Sequence, residues 1–230
     1  MGGGQLRFGG RIGFDGYQPG DLNVTVSGQD MQLRLFEGMR STFDAELALV
    51  GSYHSPTLDG TVMVKSALWT RRIDAPGSIF DFARRASGGE PVIVGEAPTT
   101  FPLRYDVRIE VPSTLRVDTN LLRLVASADL TLQGSYDRPV IAGHADIERG
   151  DVNFEGRRYR ITRGAIDFSN PTRTEPFFDI EAETNVRVPG PPVQTYHINV
   201  GFAGTTERLQ PTVSSDPALP TAEVLALLFS

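Results

Sequence analysis

The chain has 230 residues, of which 40% are hydrophobic and 22% charged, with a formal net charge of −6. This ordinary globular composition suits one large β unit or two ordinary domains and excludes a disordered chain. The acidic balance and dispersed arginines exclude a nucleic-acid binder, which clusters its cations, and zero cysteine excludes disulfides, zinc thiolate sites and thiol nucleophiles.

At the N-terminus, Gly2-Gly3-Gly4 and Gly9-Gly10 lack the lysine and the serine or threonine of a phosphate loop, so they are read as flexible or bulged backbone. Leu22, Val24 and Val26 then alternate with Asn23, Thr25 and Ser27, and Met31, Leu33 and Leu35 with Gln32 and Arg34. Period-two alternation predicts strands with one wet and one dry face. Leu47–Gly60 (LALVGSYHSPTLDG) returns as Leu130–Gly143 (LTLQGSYDRPVIAG) at a constant offset of 83 residues, which marks a copied and stacked unit. Gly77-Ser78 before Ile79, Phe80, Phe82 and Ala83 predicts a short helix near 78–85 capped by Ser78. Arg71-Arg72 and Arg84-Arg85 beside it are read as a solvated edge. Residues 87–102, rich in Gly, Pro and Thr, are expected to connect an upstream unit, 1–86, to a second one, 103–230.

In the second unit, Val107, Ile109 and Val111 alternate with Arg108 and Glu110, and Ala126, Ala128, Leu130 and Leu132 with Ser127, Asp129, Thr131 and Gln133. Phe178, Ile180 and Ala182, then Tyr196, Ile198, Val200 and Phe202, continue the pattern. All strands are expected to be antiparallel, joined by turns at Gly51-Ser52, Gly134-Ser135, Arg149-Gly150-Asp151, Arg163-Gly164 and Pro189–Pro192. Thr221 as cap, Glu223 in the first turn and the stripe Val224, Leu225, Leu227, Leu228 predict a C-terminal helix near 221–229 that covers an end of the sheet. The MGGGQLRF start has no signal-peptide core, and the chain stops within the apolar run PTAEVLALLFS. It is therefore expected to be a piece of a longer protein.

No catalytic site is expected. His54, His144 and His197 lie far apart in sequence. His144, Asp146 and Glu148 share a polar strand face, and Asp179, Glu181 and Glu183 lack the glycine turn of a calcium loop. These groups are read as solvated faces, with no metal and no cofactor.

Several pieces occur in a telling order: the Gly134 to Gly143 turn, the Gly150 strand start, the Tyr159 to Phe168 hairpin, the PFFDIEAET strand, and Ser215-Asp216-Pro217 leading to Pro220 and Glu223. The string from Leu130 onward resembles the C-terminal domain of TamB-like proteins, the translocation and assembly module proteins of the Gram-negative envelope and relatives of the AsmA-like group. The resemblance covers Leu103 to Ser230 and extends less strongly to the first unit. Alternation alone fits one side of a closed sandwich or barrel equally well. Repeat and resemblance together imply an all-β fold, a repetitive antiparallel sheet curled into an open trough or half-barrel.

The resemblance also implies a periplasmic part of a cell-envelope protein anchored in the inner membrane through a segment outside this chain. Its implied task is to shield phospholipid acyl chains between the two membranes and to support outer-membrane protein assembly and secretion beside a TamA-like barrel protein. Acyl chains would then rest on Val24, Val26, Leu33, Leu35, Leu47, Leu49, Val107, Ile109, Leu130, Leu132, Ile147, Ile180, Ile198 and Val200. The alternative is a protein-assembly module that adds strands to barrel proteins or autotransporters without conducting lipid. A repetitive surface adhesin is a third class, against which the Pro220 to Leu228 segment argues.

Overall fold

Segments that each have one dry face must share it, and a sheet does so only if cross-strand partners keep the same phase. The computed structural model describes residues 3–34, 38–70, 102–154 and 156–229. It meets the requirement with one sheet of eleven strands whose spatial order is the sequence order. They are β1 (Gln5–Asp15), β2 (Gln18–Leu33), β3 (Met39–Ser52), β4 (Ser55–Trp69), β5 (Arg104–Asp118), β6 (Leu122–Ser135), β7 (Arg138–Phe154), β8 (Arg157–Phe168), β9 (Phe177–Val188), β10 (Gln194–Thr205) and β11 (Arg208–Asp216). One helix follows, α1 (Thr221–Leu228). β1 pairs only with β2 and β11 only with β10, so the sheet stays open as a trough and does not close into a barrel.

Every neighbouring pair is antiparallel except β4 and β5, which run parallel from Thr57↔Arg104 to Trp69↔Val117. This corrects the all-antiparallel expectation. Parallel neighbours need a crossover of about a dozen residues or more to return the chain to its starting rim, and Thr70 to Leu103 is long enough to supply one. The β4–β5 ladder makes the sheet continuous between the segments before and after that crossover. The expected 78–85 helix lies outside the described residues, as do the arginine pairs and the 87–102 connection up to residue 101.

The copied unit is the hairpin β3–β4, repeated as β6–β7. Leu47 pairs with Gly60 in the first and Leu130 with Gly143 in the second. The irregularities are copied as well, at positions where the residues differ. Lys65 is the extra residue between the Phe43↔Val64 and Thr42↔Ser66 pairs, and Glu148, 83 residues on, is the extra residue between Ala126↔Ile147 and Val125↔Arg149. Asp30 in β2 and Ser113 in β5 are the non-glycine residues with positive φ among those described, at +53° and +54°, and they too lie 83 apart. Each pair touches: Lys65 Nζ donates to Asp30 Oδ1 at 2.7 Å, and the Ser113 hydroxyl bonds to the Glu148 carboxylate. An ion pair in one copy is thus a neutral-donor hydrogen bond in the other, across the same two bulges. Bulges strengthen the local twist and bend of a strand, so the curl recurs with the repeat.

Gly60 and Gly143 add to it. Their φ angles are +135° and +126°, and a Cβ there would sit 2.0 Å from the Glu46 carbonyl oxygen or 2.2 Å from that of Asp129. No side chain fits, so glycine is required where the strand kinks against its partner. Two other glycines correct the expected turns. Arg149-Gly150-Asp151 lies inside β7 and Arg163-Gly164 inside β8, so Tyr159 to Phe168 belongs to one strand and is not a hairpin. A Cβ on Gly150 would meet Leu124 and Ile161 side chains at 2.9 Å, and one on Gly164 would meet Ile147 at 2.7 Å. These glycines make room for apolar neighbours, the other use of glycine in a strand.

Helix α1 lies over the apolar side of the last strands. Val224 and Leu228 join Tyr159, Ala182, Val186 and Ile198 in one buried cluster, and both Val224 and Ile198 have no exposed surface. Leu225, expected in the stripe, is instead exposed. The cap position is Pro220, without a side-chain cap bond, so Thr221 is the first helical residue and does not cap. Glu223 does occupy the first turn. The approach is fixed by Ser215, whose hydroxyl accepts from the Leu219 N–H at 3.0 Å and donates to the Pro217 carbonyl at 2.9 Å.

Three substitutions test these roles. Gly143→Ala is expected to cost about 2–3 kcal/mol because it combines a strained φ with a backbone clash. Gly156→Ala, at φ +70° with nothing within 4 Å, should cost about 1 kcal/mol; equal urea midpoints for the two variants would remove the kink from the account. Val224→Asp is expected to release α1, seen as fast amide exchange over 221–228 while β5–β7 stay protected.

Candidate functional site

Directly opposed residues in a ladder point to the same face, so the registers sort every strand residue into an inner or an outer set. One inner row runs Phe8, Val26, Leu47, Gly60, Val107, Leu132 and Ile141 across β1 to β7. The next row holds Leu6, Gly28, Ala45, Val62, Ile109, Leu130, Gly143 and Phe168. A third holds Gly10, Val24, Leu49, Leu58, Tyr105 and Gly134. No charged side chain interrupts any of the three.

The fourteen positions expected to line a groove can now be located. Leu35 lies outside the described residues. The other thirteen share the inner face, the bulge before Met31 bringing Leu33 back into phase with Phe43 and Leu47. Most are half-buried, Leu33 is 45% exposed, and Val107 is buried within the row. Ile198 differs from the expectation of an open row, because α1 seals it completely. Val200 packs at the margin of the same cluster. Helix α1 therefore covers the inner face at one rim of β7 to β11, from Val152 and Phe154 to Val213, and among the described residues no element covers the rows from β1 toward β7.

Sequence reading missed the most exposed part of this face. Leu6, Phe8, Ile12 and Phe14 of β1 are 45%, 71%, 50% and 68% exposed and continue the inner rows to the free edge. The signal was present as alternation in LRFGGRIGF, but Gly10 takes the place of one apolar residue and hides the period.

The outer face is a lattice of charge. Arg108 makes a forked contact to Asp129, with Nη2–Oδ2 at 2.6 Å and Nε–Oδ1 at 3.2 Å, and reaches Glu110 at 3.3 Å. Arg158 grips Asp151 at 2.9 and 2.7 Å, and Arg163 meets Asp179 at 2.7 Å. Hydrogen bonding from Arg108 holds Asp129 below the ordinary carboxylate range, and Arg158 does the same to Asp151. His144 stands between Asp167 (2.5 Å) and Asp146 (3.0 Å). These bonds, Asp167's first, raise its pKa above the usual imidazole value. Such exposed pairs contribute modestly, and their arrangement keeps this face wet. No helix among the described residues is long and apolar enough to cross a membrane.

The His144 contact carries a pH signature. A pKa raised on folding adds stability that is fully present below the unfolded imidazole value and disappears as pH rises through the folded one. His144→Gln should therefore destabilise the chain by less than about 1 kcal/mol at acidic pH and by almost nothing at pH 8. A loss that grows with pH, in urea titrations across this range, would contradict the contact.

An open sheet, a seven-strand apolar row, a charged opposite face and one docked terminal helix are thus the features that any family assignment must accommodate. The sequence matches the family model of the TamB C-terminal domain over residues 1–230, the whole chain. The chain belongs to the TamB family and is an envelope-associated domain of the translocation and assembly module type.

Proposed function

We propose that the open inner face shields phospholipid acyl chains on their way between the inner and outer membranes, within the envelope and outer-membrane biogenesis role that the family supports. The observation that carries this is the row from Phe8 to Ile141, apolar or glycine at every strand from β1 to β7. Seven strands at about 4.8 Å spacing make a stripe about 30 Å long. One leaflet's acyl chains span half of a bilayer core of about 30 Å, so the stripe accommodates a chain laid across the strands. Leaving a methylene in water costs about 0.8 kcal/mol, hence on the order of 10 kcal/mol for a sixteen-carbon chain. Contact with Val26, Leu47, Leu132 and their neighbours offsets most of that, while headgroups remain in water along the trough mouth. No bond is made or broken, and the reading assigns no catalytic step, cofactor or nucleic acid. A TamA-like outer-membrane barrel and an inner-membrane anchor complete the route at either end.

A second reading rests on edge strands: among the described residues β1 pairs with β2 alone. That edge offers backbone donors and acceptors to an incoming strand of an outer-membrane protein, which would make the domain an assembly module without lipid.

The two readings part on one variant. The chain exported to the periplasm and purified in mild conditions should carry phospholipid by native mass spectrometry. Leu130→Asp/Leu132→Asp should lose at least about tenfold of it, one charge on a central strand being costly to desolvate. A wild-type chain that is folded and lipid-free would overturn the shielding role. Undiminished capture of an unfolded barrel strand by the double variant would support the assembly reading.

A further inference from the structure

The copied hairpin keeps an exposed tyrosine at its turn. Tyr53 and Tyr136 stand 83 residues apart in the two-residue turns Tyr53-His54 and Tyr136-Asp137, 44% and 43% exposed. Each is tethered in the same way, its N–H donating at 2.9 Å to the carbonyl of Gly20 or of Leu103, again 83 apart. Bulges and glycine kinks bend the individual strands, so these turns lie on a rim of the trough, where its apolar interior meets water.

Around that common frame the second copy has a different chemistry. Asp21 and Ser55 flank Ser52 across the first turn, and Arg104 and Arg138 take their places beside Ser135 at the second. Opposed residues share a face, so the two arginines point the same way from backbones about 10 Å apart. Both are exposed, and among the described residues neither holds an ion pair, whereas Arg108, Arg123, Arg158 and Arg163 each do. On the inner face Tyr105 stands where the first copy has Leu22, and it is the one polar side chain in the three inner rows. Its hydroxyl has no hydrogen-bond partner among the described residues. Burial, and then Tyr136 nearby, raise the pKa of this phenol, so it remains a donor.

We propose that Arg104, Arg138, Tyr136 and Tyr105 hold the phosphodiester of a phospholipid headgroup at this rim. The proposal rests on the shielding reading and adds the place along the trough at which a headgroup is held. Guanidinium groups match phosphate oxygens with paired N–H donors, and two arginine stems can close on one phosphate from either side of Ser135. Tyr105 donates from within, two residues along β5 from Val107 of the seven-strand row. Asp106 and Asp137 share the rim. They repel a second negative charge, so the site favours the single charge of a phosphodiester over the dianion of free phosphate. The first turn, with Asp21, Leu22 and Ser55 in the matching places, lacks both the cations and the inner phenol.

Titration calorimetry on the whole chain can compare dihexanoyl phosphatidylglycerol, kept below its micellar concentration, with octyl glucoside, which has a tail and no phosphate. Arg104→Asp/Arg138→Ser installs the residues of the first copy. It should weaken the phospholipid about tenfold or more while leaving octyl glucoside affinity and the melting temperature unchanged. Tyr105→Phe should weaken the phospholipid several-fold and spare octyl glucoside. Glycerophosphoglycerol, the headgroup without tails, should compete with the phospholipid, and inorganic phosphate should not. Equal phospholipid affinity in the wild-type chain and the double variant would overturn the rim site and leave shielding intact. Competition by inorganic phosphate as strong as that of the phosphodiester would overturn the headgroup assignment. A wild-type chain that binds glycerophosphoglycerol but neither tailed probe would overturn the shielding reading, and the lipid assignment with it.

Discussion

Everything in this fold depends on phase. A strand shifted by one residue turns all its apolar side chains to the wet face, and here six successive ladders must agree for the row from Phe8 to Ile141 to exist. The bulges at Asp30, Lys65, Ser113 and Glu148 would be expected to break that agreement, yet each is answered on a neighbouring strand. The gap before Met31 returns Leu33 to the inner set, and Glu148 lets Gly150 face Ile161 beneath the core that Tyr159 enters. Curvature is obtained without loss of phase, and the outer ion pairs penalise a slip because Arg108 meets Asp129 only in this register.

The same constraint gives the two ends of the trough different characters. At one rim of β7 to β11 the inner face is satisfied within the chain by Val224 and Leu228 of α1, which leave Ile198 with no exposed surface. Toward β1 no element of the described residues covers Phe8, Ile12 or Phe14. An apolar surface of this kind signals a ligand or a partner.

Much of this was legible in the residues. Strict alternation at Val24–Val26, Val107–Ile109 and Leu130–Leu132 revealed strands and the shared face, and the 83-residue repeat located the copied hairpin. Three things were hidden for physical reasons. Alternation is the same for parallel and antiparallel strands, so the β4–β5 pairing was invisible. Glycine is used both for turns and for close packing, so Gly150 and Gly164 were taken for chain reversals when they make room for Ile161 and Ile147. The equivalence of Lys65 with Glu148, and of Asp30 with Ser113, survives in geometry but not in chemistry, because the repeat preserves a bulge and a contact while exchanging the residues that make it. Coverage of Ile198 by α1 required knowing where the helix docks, which periodicity does not encode.

The central claim is that acyl chains lie on the inner face alone. A phospholipid bearing a diazirine near the end of one acyl chain, photolysed with the purified chain and mapped by peptide mass spectrometry, tests it residue by residue. The account predicts adducts at alternate positions, such as Val26, Leu47 and Leu132, with none at Ser27, Glu46 or Thr131 on the same strands. Labelling of both faces to similar extents, or labelling confined to the β1 edge, would contradict it.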